Sequence, residues 1–230
     1  MMNSKERFHC ICQYEKPDRF PIDYLAEPQT DQHLKTYYEA ETQEQLLDAL
    51  GCDFYYLPCR DISQNESCMP FYKGPDLEVN ETERVCPFGI RYMRGAYNSK
   101  FAVDNVIDNP LKKAVSPKDI LTYQWPKVEW FDFDSFHKEC DNNSNRVIVG
   151  GFWSGILGDS YRLLGFEKFL FEMAMNPEMI KTLIDKMTDF YLEFNDKLFS
   201  NLKGKVDIWF FGNDFGSQDG LLFSQAMLET

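Results

Sequence analysis

"VDIWFFGNDFGSQDG", residues 206–220, holds the pattern that decides the fold. A run of large apolar residues ends at Gly212, and an amide, Asn213, and a carboxylate, Asp214, follow at once. Two further glycines, Gly216 and Gly220, then punctuate small polar residues. An unbroken apolar run bounded by turn residues reads as a strand covered on both faces, the kind that parallel sheets use. Glycines contribute little to packing but permit tight turns and close backbone approach. Their placement on both sides of Asp214 therefore reads as a turn built to present that carboxylate, together with Asn213.

Three stretches upstream share the pattern. "RFPIDYL" (19–25), "CDFYYLP" (52–58) and "RVIVGGFW" (146–153) are short, apolar and ended by turn residues, so each is expected to be a strand. Helical sequence lies between them. Residues 4–13 form a first short helix, and another starts near Thr30. "TQEQLLDALG" (42–51) has a capping box of Thr42 with Gln45 and a left-handed stop at Gly51. Asn176 is a natural cap and Pro177 a natural first helical residue. After them Ile180, Leu183, Ile184, Met187, Tyr191, Phe194, Leu198 and Leu202 recur at the spacing of one helix face. Residues 60–146 are less regular, with a hairpin or irregular β excursion expected within "LEVNETERVCPFGIRYMRGAY".

Strands alternating with helices define an α/β fold with a parallel sheet. A closed TIM-type (β/α)8 barrel takes about 250 residues or more, and about four βα units are visible. The expectation is a single domain over 1–230, holding roughly the first half of such a barrel, with an irregular insertion at about 60–146. An open doubly wound sheet is the alternative.

Bulk properties narrow the function. The chain has 230 residues, 43% hydrophobic and 16% aromatic, which suits a globular fold with a sizeable core. A net charge of −13 with no Lys/Arg cluster argues against nucleic-acid binding. No apolar run is long enough to span a bilayer, and the charged start lacks a signal-peptide core. Seven cysteines, an odd number scattered along the chain, suggest reduced thiols and a cytoplasmic setting.

In parallel α/β folds chemistry gathers at the carboxyl ends of strands. Asp23 follows the first strand, Arg60 and Asp61 the second, Trp153 the third, and Asn213 with Asp214 the fourth. Bland roles compete at each place: a turn carboxylate for Asp23, a surface ion pair for Arg60 and Asp61, core packing for Trp153. Cys10 and Cys12 sit about 200° apart around a helix, so no metal site is expected from them. His9, His33 and His137 lie in polar sequence and read as solvated imidazoles. Phosphate loops, dinucleotide fingerprints and serine nucleophile elbows do not occur.

Several segments in order resemble the uroporphyrinogen decarboxylase superfamily, which includes cobalamin-dependent methyltransferases. They are "RFHCICQYEKPDRFPID", "LGCDFYYLP", "YQWPKVEWFDFD", "GGFWSGILGDSYRLLGFEKFLFEMAMNPEMIKTLIDKM" and "VDIWFFGNDFGSQDGLLFSQAM". The resemblance implies a (β/α)8 barrel, with Asp214 and Asp61 as catalytic groups and Asn213, Trp153, Asp23 and Arg60 around a small-molecule substrate. True decarboxylases carry an arginine-rich loop after the first strand. Here "IDYLAEPQTDQHL" has no arginine and several acids, which would repel a polycarboxylate. The resemblance thus implies the methyltransferase branch first, porphyrinogen decarboxylation second, and an inactive fragment or non-catalytic binding protein third. For the methyltransferase branch it further implies zinc, held by residues beyond Thr230 and activating a thiol, and a corrinoid carried by a partner protein. No cofactor is expected on residues 1–230 alone, and dimers are common in the superfamily.

Overall fold

The computed structural model describes residues 2–26, 28–57, 71–77, 82–98, 101–153, 155–202 and 204–228. The backbone packs as two units, one of Met1–Leu57, Asp134–Gly151 and Asn201–Phe210, the other of Pro58–Phe133, Phe152–Ser200 and Phe211–Thr230.

The first unit is built on a sheet of β1 (Phe54–Tyr56), β5 (Val147–Trp153) and β6 (Ile208–Gly212), in that order. β1 and β5 are parallel, with Phe54, Tyr55 and Tyr56 opposite Val147, Ile148 and Val149. On the other flank of β5, Asp207 N donates to Ile148 O at 2.9 Å. β5 is the middle strand, and residues 147–151 are all buried. That is why its sequence is apolar without alternation. Gly151 is required by closeness: a Cβ there would fall 1.8 Å from Phe210 O, at a φ of +133°. Around the sheet lie α1 (Ser4–Cys12), α2 (Pro28–Tyr38), α3 (Gln43–Leu50) and α5 (Phe133–Asn142). α3 starts with the expected Thr42/Gln45 capping box and stops at Gly51 with φ 68°.

"RFPIDYL" does not form a strand. Among the described residues a single backbone bond ties it to the approach to β1, Asp53 N donating to Ile22 O at 2.8 Å. Two causes prevent a ladder. Pro21 has no N–H to give, and the N–H of Ile22 is taken by the Asp53 side chain at 2.7 Å.

The same carboxylate organises the amino end of β1. Arg7 and Asp53 are both buried and meet at 2.6 Å, while Arg19 reaches Asp53 at 2.5 Å and Ser4 Oγ donates to it at 2.9 Å. Arg7 also holds Asp18 at 2.7 Å. This hydrogen bond from Arg7 drives the Asp18 carboxyl far below its usual range. Asp53 is lowered as well: burial pushes it up, but the hydrogen bonds from Arg19, Ile22 and Ser4 prevail. Nearby, Asp207 pairs with Lys5 at 2.9 Å and accepts from Ile148 N at 2.8 Å, and Arg146 pairs with Asp48. The amino ends of the strands are thus pinned by charge, the place where a parallel fold keeps its stability.

The second unit contains the expected β excursion, an antiparallel sheet of β2 (Glu83–Val85), β3 (Arg91–Asn98) and β4 (Phe101–Asp108). It also holds α4 (Pro117–Leu121), α6 (Leu157–Leu164), α7 (Phe166–Met175), α8 (Pro177–Leu202) and α9 (Gln225–Leu228). The α8 stripe is buried at Ile180, Leu183, Met187, Tyr191, Phe194, Leu198 and Leu202, with Phe190 and Met179 added and Ile184 half-buried. Phe190 joins because it meets Phe88, with ring centroids 5.0 Å apart and planes at 73°. Phe131 and Phe133 close on Phe194 at 5.2 and 5.1 Å. Aromatic edges meeting faces give this core its specific geometry.

Candidate functional site

Asp23 lies at the carboxyl end of β1. Its Oδ2 accepts from the hydroxyl of Tyr56, the last residue of that strand, at 2.7 Å, and its Oδ1 accepts from Tyr24 N at 2.8 Å. Neighbouring strand residues point to opposite faces. Tyr55 reaches α5, donating to Glu139 at 2.6 Å, so Tyr56 projects from the other face. Phe54, on that same face, packs edge-on against Phe8 of α1 at 6.0 Å. Asp23 is exposed, so this pair is an oriented carboxylate open to solvent. Beside it Tyr24 donates to Asp31 at 2.6 Å, and burial together with that carboxylate holds the Tyr24 phenol well above its ordinary value.

In the second unit, Asn213 follows directly on β6. Its Oδ1 accepts from Leu157 N, the first residue of α6, at 3.1 Å. It thus supplies the acceptor that a helix start needs. Asp214 comes next and is exposed. The loop behind it is closed by Ser217 N to Gly220 O at 2.7 Å and Leu222 N to Phe215 O at 3.0 Å. The glycines serve this closure: Gly220 takes φ +152°, and a Cβ on Gly216 would sit 3.1 Å from Gly220 O. Asp214 therefore projects from a self-bonded loop two residues past a strand tip. Arg60 and Asp61 lie outside the described residues, as does the side chain of Trp153, which ends β5.

α6 also carries a group that sequence inspection passed over. Asp159 is 1% exposed, and its oxygens accept from the Tyr191 hydroxyl at 2.6 Å and from Arg162 at 3.1 Å. A carboxylate inside the apolar run "GILGDSYRLLGF", three residues before an arginine, was a legible signal for a buried helical pair. Tyr56 offered none, since a strand tyrosine beside another tyrosine does not announce which one meets Asp23.

Thiols and imidazoles fall where packing puts them. Cys10 is buried and Cys12 exposed, as their helical separation requires. Burial pushes the Cys86 thiol up to about 12 and Cys140 up to about 11, which keeps both protonated. His9 and His33 are exposed, whereas His137 is half-buried in a cluster with Asp141 at 3.1 Å and Lys205 at 3.3 Å. Among the described residues no three His, Cys, Asp or Glu side chains gather as metal ligands, and no helix is long and apolar enough to cross a membrane.

A parallel sheet flanked by helices, with charge pinned at the amino end of its strands, defines a mixed α/β protein. Among solved structures the chain is similar to a methyltransferase from Methanosarcina mazei, with a TM-score of 0.58 and 15% identity. The likeness takes in 100% of this chain but 64% of that one, and at such identity it is a likeness of fold. No protein-family model matches the chain, and no curated protein does.

Proposed function

We propose that this chain forms part of a (β/α)8-barrel enzyme, continuous over 1–230, that transfers a methyl group between a corrinoid carried by a partner protein and a thiol or other methyl donor. The observation that carries the proposal is the contrast between strand ends. The amino ends carry ion pairs, whereas the carboxyl end of β1 presents Asp23 with Tyr56; in the second unit, taken by itself, a self-bonded loop presents Asp214. The whole-length fold likeness to a methyltransferase supports the choice of reaction.

The roles of the chain's own groups follow from their geometry. Asp23, fixed by two donors, accepts a hydrogen bond from a substrate thiol or headgroup. Asp214 takes up the proton that a thiol releases as its sulfur becomes the methyl acceptor. Asn213 holds its neighbour in place through its bond to α6. A corrinoid carried by the partner protein would supply the methyl group in this reaction. Zinc belongs to this proposal for the whole protein. The described residues do not fit it, their buried thiols being separate and protonated, and no step is assigned to it here.

The test supplies the complete protein with a methylated corrinoid protein and a series of thiols, following cobalt absorbance. Thiol-dependent demethylation is expected, slowed roughly a hundredfold or more by Asp214→Asn, as general acid–base groups commonly contribute. Turnover of uroporphyrinogen with no cobalt-coupled methyl transfer would reverse the assignment in favour of decarboxylation.

A further inference from the structure

α6, in the second unit, is held at both ends. At its carboxyl end Asn109 Nδ2 donates to Arg162 O at 2.6 Å, and Leu111 N donates to Leu163 O at 2.9 Å. At its amino end, side-chain bonds act on the first turn. Leu157 N donates to Asn213 Oδ1 at 3.1 Å. Two residues on, the Asp159 carboxylate accepts from the Tyr191 hydroxyl of α8 at 2.6 Å and from Arg162 at 3.1 Å. An acid in a first turn suits the helix dipole, and an exposed acid serves that purpose as well as a buried one. Asp159 is 1% exposed and Tyr191 4%, and taking a carboxylate out of water is costly even when donors meet it. The burial therefore calls for a use beyond capping. Leu157 and Asp159 lie about 200° apart around the helix, so Asn213 and α8 grip the turn at two separate points.

We propose that Tyr191 and Asp159 are positioning residues for the Asp214 carboxylate. The line of contact stays within the second unit. Tyr191 on α8 fixes Asp159, and Asp159 fixes the first turn of α6. That turn holds Asn213 through Leu157 N, and Asp214 is the next residue along. The loop after Asp214 is bonded to itself, by Ser217 N to Gly220 O and Leu222 N to Phe215 O. Asn213 ties the residue before Asp214 to α6. Tyr191 suits the task, since its ring is buried beside Phe88 with centroids 6.3 Å apart, which limits the freedom of its hydroxyl. A hydroxyl meeting a carboxylate makes a short, strong bond, which passes a displacement on instead of absorbing it. The inference rests on the reading of Asp214 as a proton acceptor, and adds what holds that acceptor in place.

The complete protein, Tyr191→Phe, Asn213→Ala and the double variant test it in two ways. Tyr191→Phe keeps the buried ring, so the core stays filled. The first readout is hydrogen exchange at the Leu157 amide, followed by NMR below the melting temperature of every variant. Asn213→Ala removes the acceptor of that amide and Tyr191→Phe loosens the turn that carries it. Each is expected to speed exchange about tenfold or more. The second readout is thiol-dependent demethylation of the corrinoid protein, corrected for folded fraction. Each single variant is expected to lower kcat about tenfold with KM within about twofold, since misplacement by about 1 Å suffices for such a loss. The double variant should be no slower than the slower single one, because both cut the same line. Ile120→Val trims a buried side chain elsewhere in the unit and should leave both readouts at the parent values. Unchanged Leu157 exchange in Tyr191→Phe overturns the proposal, as does a parent kcat in either single variant or losses that multiply in the double one. If the parent transfers no methyl group, the reaction proposed above fails and Leu157 exchange alone decides: faster exchange in Tyr191→Phe upholds the tie from α8 to Asn213, and unchanged exchange removes it.

Discussion

Replacing Asp53 by Asn removes one charge and changes almost nothing in shape, yet it should unfold the first unit far more readily. The carboxylate is 0% exposed, and both its oxygens are fully used. Oδ1 accepts from Ser4, Arg7 and Arg19, and Oδ2 from Arg19 and Ile22 N. An amide has one acceptor oxygen, so either orientation turns an NH2 group against donors. Arg7, itself 3% exposed, then loses its innermost partner and keeps the more exposed Asp18 and the carbonyl of Met2. Breaking a buried pair in this way costs about 3–5 kcal/mol. The Arg19 share belongs at the low end, because its side chain is 42% exposed and screened by water. With a slope near 2 kcal/mol per molar urea, a loss of about 3 kcal/mol lowers the urea midpoint by roughly 1.5 M. Asp185→Asn is the control, since Asp185 and Lys181 form an exposed pair one helical turn apart and should matter by about 0.5 kcal/mol or less. Urea titrations followed by far-UV circular dichroism decide the matter. If Asp53→Asn shifts the midpoint no further than Asp185→Asn, Asp53 does not pin the amino end of the sheet.

The same carboxylates set the acid limb of stability. Asp18 and Asp53 titrate below the ordinary 3.8, so their contribution is whole above that value and drains as pH falls through their folded-state titrations. Urea midpoints from pH 7 down to 2 should fall in the parent, and the fall should be shallower in Asp53→Asn. Tyr191→Phe deletes a hydroxyl donor to the buried Asp159 and should cost about 1.5–3 kcal/mol, read as a lowered melting temperature. Gly151→Ala drives a methyl group into Phe210 O at a φ no alanine favours, so roughly 3 kcal/mol or more is lost and little folded protein should be recovered. In timed alkylation of native protein, Cys12 should react before the other described cysteines, since Cys10, Cys52, Cys86 and Cys140 are protected by burial that also raises their thiols.

Elements whose signal is local were legible in the sequence. The Thr42/Gln45 box, the Gly51 stop and the α8 stripe each specify their own geometry within a few residues, and each formed. β5 was legible because a strand covered on two faces must be apolar throughout; β6 carries a similar apolar run, although its residues are half-buried and Phe211 is exposed. "RFPIDYL" misled because its composition suits a strand while its pairing depends on Asp53, thirty residues away, which captures the Ile22 amide. The same distance hid the clasp itself: Arg7, Asp18, Arg19 and Asp53 look like ordinary surface charges until the chain brings them together. Asp23 was read after a first strand that does not form, and it lies instead beside Tyr56 at the end of β1. Its pairing with Tyr56 was not legible, because that partner is set by sheet face and not by spacing. Asn213 follows β6, the strand its position suggested; it was read as a substrate contact, and its oxygen accepts from the start of α6.

The most direct measurement compares the two ends of the strands in a single assay. Thiol-dependent demethylation of a corrinoid protein would be timed for the complete protein and for Asp23→Asn, Asp214→Asn and Asp207→Asn, each corrected for folded fraction. Catalysis at the carboxyl ends predicts that the first two fall at least about tenfold, while Asp207→Asn, at the amino end beside Lys5, retains the parent rate. Equal rates for all four, or a loss confined to Asp207→Asn, would contradict it.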